Sequence, residues 1–222
     1  MFVGHFAVGL AGKRIAPSVS PGTLVLAAML ADLLWCVFTI AGVEHVEFRQ
    51  AMGAGNYFHA SDIAFSHSLL MDTVWGALFG GAYFLRRRSP RGAWILFAAV
   101  VSHWILDWIA HRPDMPLAPG AHMFFGLGLW TSIPATIVVE GGFWLAAVIL
   151  YARAFRPKGR AGSFVYWTAV VLLTFAWYAN ISGPPPANEH SAAYQSLIFF
   201  SLAVAWGYWI NRLRIAPDEA HN

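Results

Sequence analysis

Residues 92–110, GAWILFAAVVSHWILDWIA, form an apolar run interrupted only by Ser102, His103 and Asp107. As a helix, rising about 1.5 Å per residue, the run is about 28 Å long, close to the hydrocarbon thickness of a bilayer. Five further stretches meet the same length test: Pro21–Gly42, Ser66–Phe84, Pro134–Tyr151, Phe164–Ser182 and Ser191–Ile210. The composition agrees. Of 222 residues, 58% are hydrophobic and 11% charged, whereas a soluble domain carries about a quarter charged residues. The apolar segment Met1–Gly12 precedes its basic pair Lys13-Arg14, the reverse of a signal peptide. Basic residues then test the span count, because short cytoplasmic loops collect Lys and Arg. With six spans, all but Arg49 and Arg112 of the 14 basic residues fall on one side. The expectation is an all-α polytopic membrane bundle, a single domain over 1–222, with six transmembrane helices and both termini cytoplasmic. The pI near 9.2 is thereby explained by topology, and no nucleic-acid binding is expected.

Asp32, Asp72, Asp107 and Glu140 lie inside expected spans. Each charged residue at a helix centre costs roughly 2.5–3.5 kcal/mol on the insertion scale, so four unpaired ones would cost on the order of 10 kcal/mol. Such residues require partners, water or a metal. His103, Asp107 and His111 stand at i, i+4 and i+8, on one face of a helix. Imidazole and carboxylate are common zinc ligands, and a carboxylate also orients a ligating His; the plainer alternative is a hydrogen-bonded pair that holds helices together. Counted from the basic ends of their spans, Asp32, His103, Glu140, Asp72 and Asp107 come out roughly 15 to 24 Å deep, with His67 and His111 nearer the outer face. They share a layer that opens outward.

His5 belongs to a segment too short to span. It sits either on a re-entrant helix near Asp32 or on an interfacial helix in the headgroups. Cys36 is the single cysteine, so neither a disulfide framework nor a Cys-based zinc site is expected. Glu44, His45 and Glu47 read as a solvated loop. Ser66 and Ser68 flank His67, but adjacency in sequence does not make a nucleophile and base.

Four short motifs resemble those of the bacterial membrane-bound metal-dependent hydrolase family, over roughly the first 120 residues. They are His5-x-x-x-Gly9, Asp32 closing the first apolar stretch, His67-Ser68 before an apolar helix, and His103-x-x-Leu-Asp107. The chain departs from the family's Pro-Asp-x-Asp at Ala31-Asp32-Leu33-Leu34, and from its His-Arg-Gly-x-Thr-His-Ser at Phe65-Ser66-His67-Ser68. The resemblance implies an inner-membrane protein that binds metal through His5, Asp32, His67, His103 and Asp107, and it favours the re-entrant placement of His5. The leading expectation is a metalloenzyme with a divalent ion, zinc by preference. It would hydrolyse an amphipathic phosphate or ester, lipid or lipid-linked, with His111 as a further ligand and Glu140 or Asp72 as general base. The rivals are a small proton or metal-ion transporter and a non-catalytic scaffold.

Overall fold

The computed structural model describes residues 1–48, 58–59 and 62–215, so Arg49 lies outside the described residues. Among them are eight α-helices: α1 (Phe2–Ile15), α2 (Pro21–Ala28), α3 (Leu30–Ile40), α4 (Leu69–Arg87), α5 (Pro90–Ala110), α6 (Ile133–Ala154), α7 (Arg160–Ser182) and α8 (Glu189–Leu213). The starts of α2, α4, α5 and α6 are capped by the hydroxyls of Ser20, Ser68, Ser89 and Ser132, which accept from backbone N–H groups of the first turn. Pro near the first position of α2, α5 and α6 costs no hydrogen bond there.

Helices α5 to α8 are each long and apolar enough to cross a membrane. Their outward surfaces carry large apolar side chains such as Trp94, Val138, Phe164 and Phe175. Four such helices with greasy exteriors mark an integral membrane protein. The expected span Pro21–Gly42 is instead two helices, α2 and α3, bent by 56° at a break. Counted as one broken span, this pair would raise the number of crossings to five. Helix α4 does not join that set. Its three glycines, Asp72 and closing arginines dilute its apolarity, and it begins at Leu69 rather than Ser66.

Helix α1 is enclosed by α2, α5 and α6; Val3, His5, Phe6, Ala7, Gly9 and Leu10 are all buried. Glycines set the closest helix approaches. A Cβ on Gly207 of α8 would lie 2.8 Å from the Cα of Gly22 on α2. A Cβ on Gly80 of α4 would lie 2.8 Å from the Ala93 carbonyl oxygen on α5. Gly76 and Gly80 thus form the small-residue stripe that lets two membrane helices meet.

One end of the bundle gathers basic residues. The Arg214 guanidinium donates to the Phe155 carbonyl and stacks 4.5 Å over the Tyr166 ring, and Lys13 lies 5.4 Å over Phe155. At the opposite end, Glu189 at the start of α8 accepts from the Val46 N–H at 2.9 Å and pairs with His45 at 3.1 Å. The hydrogen bond to that carboxylate raises the His45 pKa above its usual value.

Gly80→Ala should lower the thermal midpoint in detergent, by a loss of roughly 1–3 kcal/mol, because the new methyl meets rigid backbone. Gly81→Ala has nothing within 4 Å to meet and should leave the midpoint unchanged. Equal melting curves for the two variants would refute this packing.

Candidate metal centre

The break between α2 and α3 builds the site. Without a continuous helix at Met29 (φ −101°, ψ 9°), the Ala28 carbonyl is free to accept from His103 Nδ1 at 2.8 Å. A carbonyl can only accept, so His103 carries its proton on Nδ1 and turns a lone pair on Nε2 inward. That Nε2 is buried, 3.2 Å from Asp107 Oδ2 and 3.8 Å from Asp32 Oδ1, yet hydrogen-bonded to no partner. On α5, Asp107 stands one turn after His103, as their spacing predicts.

His67 is prepared in the same way from the other side. Glu44 is fully buried and accepts from the backbone N–H groups of Phe65 and Ser66, both at 2.8 Å, and from the Ser66 hydroxyl at 2.6 Å. With its proton committed to Glu44, Ser66 Oγ accepts from His67 Nδ1 at 2.7 Å. The Nε2 lone pair of His67 therefore points away from Ser66, 3.4 Å from Asp32 Oδ1 and 3.9 Å from Asp107 Oδ2. Two imidazoles, each locked by a partner on Nδ1, converge with two carboxylates. This is the outer-shell arrangement typical of metal-ligating histidines.

His5 approaches from α1. Its ring stacks on that of His103, centroids 3.7 Å apart and planes within 5°. Its Nε2 is 3.1 Å from Asp107 Oδ1, an oxygen that also accepts from the Met1 amine. Two overlapping donor sets result, His5/His103/Asp107 and Asp32/His67/His103, with the ligand atoms of each set within 4.8 Å of one another. Both need the same His103 lone pair, and one lone pair serves one ion. The second set holds the two histidines whose tautomers are fixed by neighbours, with Asp107 Oδ2 close by. His5 then fits the outer shell, against the other Asp107 oxygen.

The structure thus brings together His5, Asp32, His67, His103 and Asp107. It sets the other three expected residues apart. His111 is not on the α5 face, because the helix ends at Ala110 and His111 is extended (φ −72°, ψ 155°). It lines the same cavity, pairs with Asp114 at 3.1 Å and packs against Trp130. Glu140 is buried with both oxygens engaged, accepting from the Gly4 N–H at 3.3 Å and from Trp130 Nε1 at 3.2 Å, so it fastens α1 to α6. Asp72 Oδ2 accepts from the Trp104 backbone N–H at 3.2 Å, while Oδ1 has no hydrogen-bond partner. Neither Glu140 nor Asp72 lines the cavity.

That cavity, about 140 Å³, is lined by Asp32, His67, Asp107 and His111 and also by Phe2 and Phe200. Asn180 and Pro186 also border it, placing it toward the C-terminal ends of α5 and α7, away from the basic end. Asp32 is its most open carboxylate, with a side chain 22% exposed against 4% for Asp107. Sequence reading took Glu44 for a solvated loop residue and Ser66 for the start of a span with no role as a nucleophile. Their one signal was an acidic residue and a serine beside a span-proximal histidine, which gains meaning only when the loop folds back. No protein-family model, curated protein or solved structure matches the chain.

In ¹⁵N spectra of histidine-labelled protein, His67 and His103 should both appear as Nδ1–H tautomers. Ser66→Ala should change the His67 signals and spare those of His103; Nε2–H signals from either ring would contradict the arrangement. Glu140→Ala should lower stability by about 1–3 kcal/mol through two orphaned donors, read as an earlier thermal midpoint.

Proposed function

We propose that this protein is a membrane-embedded metal-dependent hydrolase, belonging to the bacterial membrane-bound hydrolase family that its motifs resemble. Its substrate would be an amphipathic phosphate or ester. The observation that carries the reading is the pair of fixed Nε2 lone pairs, on His67 and His103, aimed at carboxylate oxygens 3.2–3.9 Å away. A tetrahedral ion with bonds of about 2.0–2.2 Å has neighbouring ligands about 3.3–3.6 Å apart, which is the scale of these separations.

Protons could instead charge the rings. Asp32 and Asp107 would offset one such charge, but a second would set cationic imidazoles against one another, with rings 3.7 and 5.0 Å apart, a repulsion of about 4 kcal/mol for unit charges at 4 Å and an effective dielectric of 20. One divalent cation satisfies every inward lone pair at once. Zinc suits the donor set of two imidazoles and carboxylates.

Asp32, His67 and His103 would hold the ion, with Asp107 completing the set through Oδ2. Glu44, Ser66 and the Ala28 carbonyl keep the two rings oriented, and His5 braces Asp107 from behind. When bound, the ion would supply an activated water and polarise the scissile phosphoryl or carbonyl group. Asp32, the carboxylate most open to the cavity, would take a proton there on the oxygen that does not hold the ion. Asp72 and Glu140 are assigned instead to holding α5 and α1.

In this reading the bent pair α2–α3 and helix α4 also cross the bilayer, giving six spans, with α1 a re-entrant helix. The basic end would be cytoplasmic, with Lys13 and Arg14 at the close of α1 and the end of α8 on that side. Met1, at the cavity, departs from the expected cytoplasmic N-terminus, and the cavity would open toward the outer leaflet of the inner membrane.

Detergent-purified protein should carry near-stoichiometric zinc by elemental analysis, and His103→Ala and Asp107→Asn should lose it. Ser66→Ala should keep the fold but weaken metal affinity by roughly 10–100-fold. Hydrolysis of phosphoesters or lipid esters should follow metal occupancy. A well-folded wild type without metal would reduce the cluster to a polar core that holds helices together.

A further inference from the structure

Helices α7 and α8 leave a second, larger hollow between them and α1, of about 340 Å³. Its lining is almost wholly apolar: Leu10 of α1, Leu173 and Ala176 of α7, Ala203, Trp206 and Ile210 of α8. Two of its three polar groups are spent elsewhere, and the third, Trp206 Nε1, is buried without a hydrogen-bond partner. The Tyr166 hydroxyl donates to the Val148 carbonyl, and Trp144 Nε1 donates to Thr174 Oγ1. Both α7 and α8 are long and apolar enough to cross a membrane, and a mouth between two such helices would meet hydrocarbon. A cavity of this size falls in the range that holds extended ligands.

Its position relative to the metal centre gives it meaning. Phe2 and Phe200 line the polar cavity, and Phe6 and Phe199 line the apolar groove. These four rings pack on one another with centroids 5.6–6.5 Å apart. One layer of aromatic rings therefore separates the His/Asp cluster from the groove. Phe6 and Phe200 are buried, whereas Phe2 and Phe199 are only half-buried and are the more open two of the four rings. Along α8 the cavity borders Ala192 and Ser196, and the groove runs from Phe199 to Ile210, about 16 Å of helix.

We propose that this groove holds one acyl chain of a bilayer lipid whose headgroup reaches the His/Asp cavity past Phe2 and Phe199. This rests on the hydrolase reading for the reacting end; the acyl-chain site stands by itself. The substrate class is then a lipid phosphate or ester with at least one long chain, entering sideways between α7 and α8. The polar cavity takes the part that reacts, and the groove takes the part that anchors it.

The test is photo-labelling of the full chain in nanodiscs with a phospholipid that carries a diazirine in its acyl chain, followed by peptide mapping. Adducts should concentrate in residues 166–176 and 199–210. Ala203→Trp, which fills the groove, should reduce them at least fivefold, and Ala176→Trp should do the same should the first variant fail to fold. Val171→Trp, at a 63% exposed position outside the groove, should not. Adducts spread evenly over outward faces such as Val138 and Leu145 of α6, and indifferent to both filling variants, would overturn the site.

Labelling needs neither metal nor turnover. His103→Ala should therefore keep its groove adducts, and their persistence in an inactive protein would separate failure of the hydrolase reading from failure of this one. In active protein, the ratio of long-chain to short-chain kcat/KM should fall at least tenfold on Ala203→Trp; groove adducts with an unchanged ratio would make the bound chain a structural lipid and not substrate.

Discussion

Ionisable groups inside an apolar bundle must satisfy one another, and in this protein four of them do so around Asp107. Its two oxygens face in different directions. Oδ1 receives His5 and the Met1 amine, and Oδ2 faces His103 and His67. Helix α1 is held against α5 through this one carboxylate, and the α2–α3 break is held through His103 and the Ala28 carbonyl. Remove the carboxylate and the Met1 amine loses its counter-charge and His5 a polar partner, in a region where an uncompensated polar group costs several kcal/mol. The architecture near α1 is therefore the packing solution that places these residues in one small volume.

Local backbone irregularity and chemistry coincide here. A helix break spends hydrogen bonds, and in a membrane it survives only where protein groups take them up. Here the group that takes up the Ala28 carbonyl is His103, and in doing so it fixes which ring nitrogen stays basic. The loop before α4 repeats the device with side chains, Glu44 accepting from Ser66 and Ser66 from His67. Neither partner touches the centre of the cluster, yet each sets the direction of a lone pair.

Two cavities of opposite character share one aromatic wall. The polar one is small and bordered by carboxylates and imidazoles; the apolar one is more than twice as large and lies between helices apolar enough to face lipid. That juxtaposition suits a molecule with two ends of different polarity better than a free ion, and it is the feature that favours an enzyme of lipid-like substrates over a metal-ion pathway.

The sequence alone determined the membrane character, the helical content and most of the cluster. Composition and 3.6-residue periodicity are local properties, so α5 to α8 were legible within a few residues, and so was the His103–Asp107 pair one turn apart. Membership of His5, Asp32 and His67 followed only from shared depth and a resemblance of short motifs. Tertiary structure decided the rest. It broke the first expected span at Met29 and left to His103 a carbonyl, that of Ala28, which a continuous helix would keep. It took His111 off the helical face by ending α5 at Ala110, and it gave Glu140 to Gly4 and Trp130 in place of the cavity. It also made Glu44 and Ser66 part of the site, since a loop residue becomes an outer-shell partner only when distant chain segments meet. Hydrophobic pattern reports which residues leave water; which polar atoms then find one another depends on three-dimensional contacts that no local pattern contains.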